Sequence, residues 1–271
     1  MCSSDLVFRE YLNFIALKCI KEHEEYMESI NSLTEWEAFR KRLRYIYQQS
    51  LGEFPIRNPL KPHIIGEIIK PKYSIQKVIF QSQPDLLVTA NLYLPKKGKL
   101  PAPGIVVPCG HSNDGKVAEH YQKFCISLVL KGYVVLIYDP ISQGERVQYR
   151  SNEALEITRG YCTYEHCLLG NQYLLLGANI ALHMIWDSIR AIDYLSSRPE
   201  VDSNRIGISG CSGGGTNTAY TAILDPRIKA AAPICYITSR RRLIETIGAQ
   251  DAEQNLVSSI SEGLDHYALC A

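Results

Sequence analysis

No apolar run in this 271-residue chain is long enough to span a bilayer; the longest, "GIVVPC" and "VVLIY", are strand-sized. The N-terminus "MCSSDLVFREYLNFIALKCI" has Arg9, Glu10 and Lys18 cutting through its apolar residues, so it reads as an amphipathic helix and not as the core of a secretion signal. Charge of one sign is missing too. Lys and Arg number 29 against 28 Asp and Glu, so no global field draws the chain to nucleic acid or an anionic membrane. There are no internal repeats of the kind that build propellers and no low-complexity tract. Cys162-x4-Cys167 beside His166 hints at a metal, but no second ligand pair stands at zinc-finger spacing. No metal or other cofactor is therefore expected. The nine cysteines are odd in number and several lie inside apolar strands, which points to reduced core thiols and a cytoplasmic location.

What remains is a chain 46% hydrophobic, enough for a sizeable core. Residues 1–60 read as a helical extension and linker. The second of its two helices opens at "TEWE", where Thr34 and Glu37 form a capping-box pattern, and stops at Gly52. The Pro-containing stretch "FPIRNPLKPH" links it to residues 61–271. There "YSIQKVIF" and "LLVTANLYL", separated by "QSQPD", predict an antiparallel hairpin. Short apolar strands over 104–109, 133–139, 205–209 and 229–237 then alternate with helices over 116–131 and 178–195 and with "TNTAYTAIL". That alternation predicts an α/β fold with a mostly parallel sheet covered on both faces. One connection, 140–177, shows no clear strand or long helix. Loops of this length tend to be functional, and Tyr149, Tyr161 and Tyr164 could line a lid or substrate wall; an ordered surface excursion fits as well.

The chemistry centres on "GISGCSGGGTNTAY". Gly210-Cys211-Ser212-Gly213-Gly214 fits G-x-S-x-G between a buried strand and a helix. So sharp a reversal strains the backbone at the serine and needs small flanking residues. It holds the hydroxyl at the positive end of a helix. Ser212 is the expected nucleophile, since Ser209 has Cys211 where glycine is needed. The amide of Gly213 and one from the loop after the 104–109 strand, His111 or Ser112, would form the oxyanion hole. Cys211 should point into packing.

A competing pattern occupies that loop. "GHSNDGK" fits G-x-x-x-x-G-K, the phosphate cradle of nucleotide hydrolases. Val117 stands where a magnesium-binding hydroxyl is required, which argues against nucleotide binding. Asp139, Glu145 and Arg146 read as ion pairs that brace a loop, with a substrate contact open to Arg146.

The stretches "FPIRNPL", "VTANLYLP", "PAPGIVVPCGHSNDGK", "YDPISQGER", "MIWDSIRAIDYLSSRPEVDSNRIGISGCSGGG" and "DAEQNLVSSISEGLDH" together resemble the acetylxylan esterase-like branch of the α/β-hydrolases, near the dienelactone hydrolases and prolyl oligopeptidase-type enzymes. The resemblance implies a serine esterase acting through an acyl-enzyme on small-molecule or carbohydrate esters. It is compatible with a homo-oligomer. Gly213 departs from related glucuronoyl esterases, which carry arginine there. In that family "EGLDH" leads to further strands that bear the acid and the histidine. Here only His266 follows Ser212, so the resemblance implies a chain incomplete at its C-terminus that lacks catalytic acid and base, with Asp251 and His266 as the fallback pair. His111, lying before the nucleophile strand, need not act as a base. A peptidase of the prolyl oligopeptidase type, and an inactive fragment or binding module, are the alternatives.

Overall fold

The computed structural model describes residues 4–149, 160, 162–248 and 250–266. Two helices come first, α1 (Ser4–Glu28) and α2 (Leu33–Leu51). The second is capped two residues earlier than "TEWE" suggests. Ser32 accepts from the Glu35 amide, and the Glu35 carboxylate accepts from the Ser32 amide. Either S/T-x-x-E frame satisfies the capping box, and the one further upstream adds two residues, about half a turn, to the helix. Phe39, Leu43, Tyr47 and Leu51 on one α2 face are buried against later helices. Burial of such side chains stabilises by roughly 1.5–3 kcal/mol each, so the segment packs on the body of the protein.

Seven strands form one sheet: β1 (His63–Ile69), β2 (Tyr73–Gln83), β3 (Leu86–Pro95), β4 (Ala102–Pro108), β5 (Val134–Tyr138), β6 (Val201–Cys211) and β7 (Ile228–Ile234), in the order β1-β2-β3-β5-β4-β6-β7. The expected hairpin is β2 with β3. An additional strand, β1, pairs with β2; its "HIIGEII" is mostly exposed and has no alternation to announce it. The pairs β5–β4, β4–β6 and β6–β7 are parallel.

Strand β5 shows why this sheet needs helices on both sides. Val134, Leu136 and Tyr138 face one core with Ala191, Ile192 and Leu195 of α5 (Ala181–Ser196). Val135 and Ile137 face the other with Tyr121, Cys125 and Val129 of α3 (Glu119–Leu130). Alternate residues point to opposite faces, so a strand apolar throughout must be covered twice. The fold is of the α/β-hydrolase type expected.

The 140–177 stretch, expected to hold no long helix, does hold one. It contains α4 (Thr163–Leu175), whose "TYEHCLLGNQYLL" mixes apolar and polar residues without a helical stripe. Glu165 on this helix is fully buried and accepts the amides of Gln148 and Tyr149. Tyr164 is exposed, and Tyr161 lies outside the described residues. Beyond β6 come α6 (Gly213–Leu224) and, after β7, the short α7 (Arg240–Thr246). Among the described residues no helix is long and apolar enough to cross a membrane.

Candidate active site

Ser212 joins β6 to α6 at φ 57° and ψ −120°, in the left-handed half of the map that costs a side-chain-bearing residue energy. The bend is held from both sides. The Ser212 amide donates to Ile234 O at 2.9 Å, and the Ser212 carbonyl accepts the first bond of α6 from Thr216 at 3.0 Å. The glycines are sterically required as expected. A Cβ on Gly210 would lie 2.6 Å from both Gly214 O and Pro108 O, and one on Gly214 would press on Pro108 O more closely still. One on Gly213 would meet Glu253 Oε1 at 2.7 Å and His111 Nε2 at 2.8 Å. That contact explains why no larger residue follows the serine here.

The hydroxyl opens into a cleft of about 200 Å³ lined by His111, Thr163, Tyr236, Asp251, Gln254 and His266, among others. Cys211 is half-buried and does not line it; burial and the neighbouring Cys235 thiol raise its pKa.

His111, named for its amide and not required as a base, lies just past the end of β4 with its side chain against the serine. Its Nδ1 is 2.8 Å from Ser212 Oγ. Behind it Nε2 is 2.9 Å from Asp251 Oδ2 and 3.2 Å from Glu253 Oε1, in ion-pair range but aligned as a hydrogen bond with neither. Burial alone would lower the pKa of this imidazole. The two carboxylates overcome that effect and hold it up at about 10. Asp251 is also shared with His166 of α4, whose Nδ1 is 2.6 Å from the same oxygen and whose Nε2 donates to Ile141 O at 3.0 Å. Burial would raise the Asp251 pKa, but its two imidazole partners bring it down to about 2. The acids reach the site on a tight turn, closed by the Gln254 amide to Asp251 O and tied to α6 by Gln254 Nε2 on Thr216 Oγ1.

The other expected residues divide. Gly213 opens α6, where helix geometry leaves its amide without an internal acceptor. Ser112 is corrected: its amide donates to Gln143 Oε1 at 3.0 Å and is spent on that loop. Asp251 is in the site but not as a partner of His266. The His266 ring is buried, stacked on Tyr236 at 4.5 Å, and neither ring nitrogen has a hydrogen-bond partner among the described residues. Burial, followed by the Arg240 charge, lowers its pKa to about 4, which keeps it neutral.

Lys116 disposes of the phosphate-cradle pattern. It is buried, its ammonium is bound to Asp139 (2.5 Å) and Glu145, and its amide donates to Asp139 Oδ1 at 2.7 Å. Arg146 is likewise committed, to Asp187 at 2.6 Å and the Asp139 carbonyl at 3.0 Å, which leaves its role as a loop brace. The thiols of Cys162 and Cys167 do not join His166 in a metal site: Cys162 donates to Asn113 Oδ1 at 3.5 Å and Cys167 is exposed. Instead, four possible donors from His111, His166, Asp251 and Glu253 lie within 4.8 Å of one another.

The family model described as acetyl xylan esterase (AXE1) matches residues 48–261. The chain belongs to this family. The YtaP protein of Bacillus subtilis (strain 168) is 29% identical over 206 residues, 72% of this chain and 64% of that protein. Among solved structures, the BF1801 protein of Bacteroides fragilis NCTC 9343 superposes with a TM-score of 0.67 at 17% identity, covering 88% of this chain and 66% of that one. Methylesterase BT1017 superposes with a TM-score of 0.60 at 24% identity, covering 80% and 45%. The chain thus spans less than two-thirds of the length of each of these three proteins. At such identities the superpositions speak for the fold.

Proposed function

We propose that this member of the acetyl xylan esterase family hydrolyses small carboxylic esters, acetylated carbohydrates foremost, through an acyl-enzyme on Ser212. The observation that carries the reading is the 2.8 Å contact of a strained, cleft-facing Ser212 Oγ with His111 Nδ1, backed by two carboxylates. Ser212 Oγ attacks the ester carbonyl carbon as its proton passes to His111 Nδ1. Asp251 and Glu253 stabilise the imidazolium. The oxyanion takes the Gly213 amide at the helix N-terminus and the His111 amide. His111 then returns the proton to the departing alkoxide, the C–O bond breaks, and water releases the acyl group by the reverse relay. The neutral ring is the accepting form, so its fraction grows as pH rises toward about 10, where the carboxylates hold the imidazole's pKa.

The test is kcat/KM for p-nitrophenyl acetate and for acetylated xylo-oligosaccharide in Ser212→Ala, His111→Ala and His266→Ala. Losses of at least about 10³-fold in the first two and a small change in the third are expected. A collapse on His266→Ala with His111→Ala active would move the base to His266 and overturn the relay.

A further inference from the structure

We propose that His111 Nε2, His166 Nδ1 and the carboxylates of Asp251 and Glu253 form a binding site for one divalent transition metal of the zinc class, and that its occupancy shuts off His111 as the proton acceptor for Ser212. The second half rests on the esterase reading above; the first does not.

Of the two carboxylates, only Asp251 has a hydrogen-bond donor among the described residues, His166 Nδ1 at 2.6 Å from Oδ2. Glu253 is 1% exposed, and neither of its oxygens has a hydrogen-bond partner among the described residues. Its Oε1 points into the cluster, 3.2 Å from His111 Nε2. A buried carboxylate is expensive unless a cation compensates it, and the His111 ring does so only at ion-pair range, without an aligned hydrogen bond. Each histidine has its outer nitrogen engaged elsewhere. His166 Nε2 donates to Ile141 O and His111 Nδ1 meets Ser212 Oγ. The Ile141 carbonyl fixes the neutral His166 ring with its lone pair on Nδ1, toward the acids; the Ser212 hydroxyl can donate or accept, and the His111 tautomer protonated at Nδ1 turns the Nε2 lone pair the same way. An outer hydrogen bond to a main-chain carbonyl, like that of His166 to Ile141, is how metal-binding histidines are usually oriented.

Two neutral imidazoles and two carboxylates are a borderline nitrogen and oxygen set, and a single divalent ion cancels their charge. Ligands about 2.0–2.1 Å from a tetrahedral zinc stand about 3.3 Å apart. The four donors span contacts of 2.6 Å up to 4.8 Å, so small side-chain shifts would seat the ion. His111 and Asp251 line the cleft, which gives the ion a way in. With Nε2 on the metal, the remaining ring proton stays on Nδ1 and donates to Ser212 Oγ. The ring then has no site for the serine proton.

The experiment uses the full 271-residue chain stripped with chelator and exchanged into chelator-free buffer at pH 7.5. ZnCl2 is titrated calorimetrically, and CoCl2 is added separately to read ligand-field absorption in the visible. One equivalent of Zn²⁺ should bind, Co²⁺ should show the intense bands of a low-coordinate site, and Glu253→Gln and His166→Ala should each weaken binding at least about 10-fold. Circular dichroism of each variant controls for folding, and the wild-type stoichiometry and Co²⁺ spectrum stand whether or not a variant folds. Absence of stoichiometric binding to the wild type, or affinity unchanged in both folded variants, would overturn the site. Hydrolysis of p-nitrophenyl acetate should fall with the same midpoint as Zn²⁺ binding. Hydrolysis undiminished at full occupancy would overturn the shut-off while leaving the site, and no hydrolysis in the stripped protein would instead sink the esterase reading.

Discussion

Two bends in this molecule share one backbone geometry and differ in everything that makes a nucleophile. Ser212 enters α6 at φ 57° and ψ −120°; Cys162 enters α4 at φ 46° and ψ −119°. Each carbonyl accepts the first helical bond, from Thr216 and from His166. Neither helix has a side-chain cap. Yet the Ser212 hydroxyl lines a cleft and touches an imidazole, whereas the Cys162 thiol is 7% exposed, donates to Asn113, and is pushed by burial up to about 11. A thiol held that high is almost wholly protonated and a poor nucleophile at neutral pH. Strain marks both places; access and a proton acceptor distinguish them.

The largest difference between the two bends should appear in chemistry. Ser212→Ala should remove at least about 10³-fold of ester hydrolysis, while Cys162→Ala should leave kcat/KM within about twofold. Comparable losses from both, measured with p-nitrophenyl acetate, would erase the distinction. A smaller contrast is steric. Gly210→Ala drives a Cβ to 2.6 Å from two main-chain carbonyl oxygens and should cost about 3 kcal/mol in urea unfolding. Gly160→Ala, ahead of the Cys162 bend, among the described residues first meets the Tyr164 side chain at 3.2 Å and bears its φ of +97°, for about 1 kcal/mol. Equal costs would mean that the Ser212 bend is no tighter than its counterpart.

A third contrast concerns acid. His266 shares the cleft with Ser212, and its folded pKa near 4 lies below the unfolded value near 6.5. The unfolded chain therefore binds the extra proton between those values. Stability from this group is complete above about pH 6.5, falls as pH drops toward 4, and is lost below it, by about 3 kcal/mol in all. His266→Gln should flatten that part of the urea midpoint against pH; an unchanged slope would show that the ring is not held neutral.

The readable part of the site was local. Gly210, Ser212 and Gly214 reveal the elbow because one tight turn imposes all three within five residues. The alternating apolar strands revealed the sheet for the same reason, since a buried parallel strand has to be apolar on both faces. The proton relay is non-local. His111 meets Ser212 across 101 positions, and no spacing rule connects the loop after β4 with the acids on the turn at 251–254. Helix α4 was hidden because it places Glu165 and His166 inward on fixed polar partners, without an apolar stripe. Ser112 looked available only because the Gln143 side chain that occupies its amide arrives from 31 residues away.

The bend at residue 212 carries the nucleophile, and covalent capture of its hydroxyl as a phosphonyl ester tests this most directly. The full chain would be reacted with a fluorophosphonate at neutral pH, digested, and its adduct mapped by mass spectrometry. A single adduct on Ser212, absent from Ser212→Ala and slowed in His111→Ala, is the result predicted here. An adduct on another residue, or none on a folded protein that hydrolyses ester, would contradict the account.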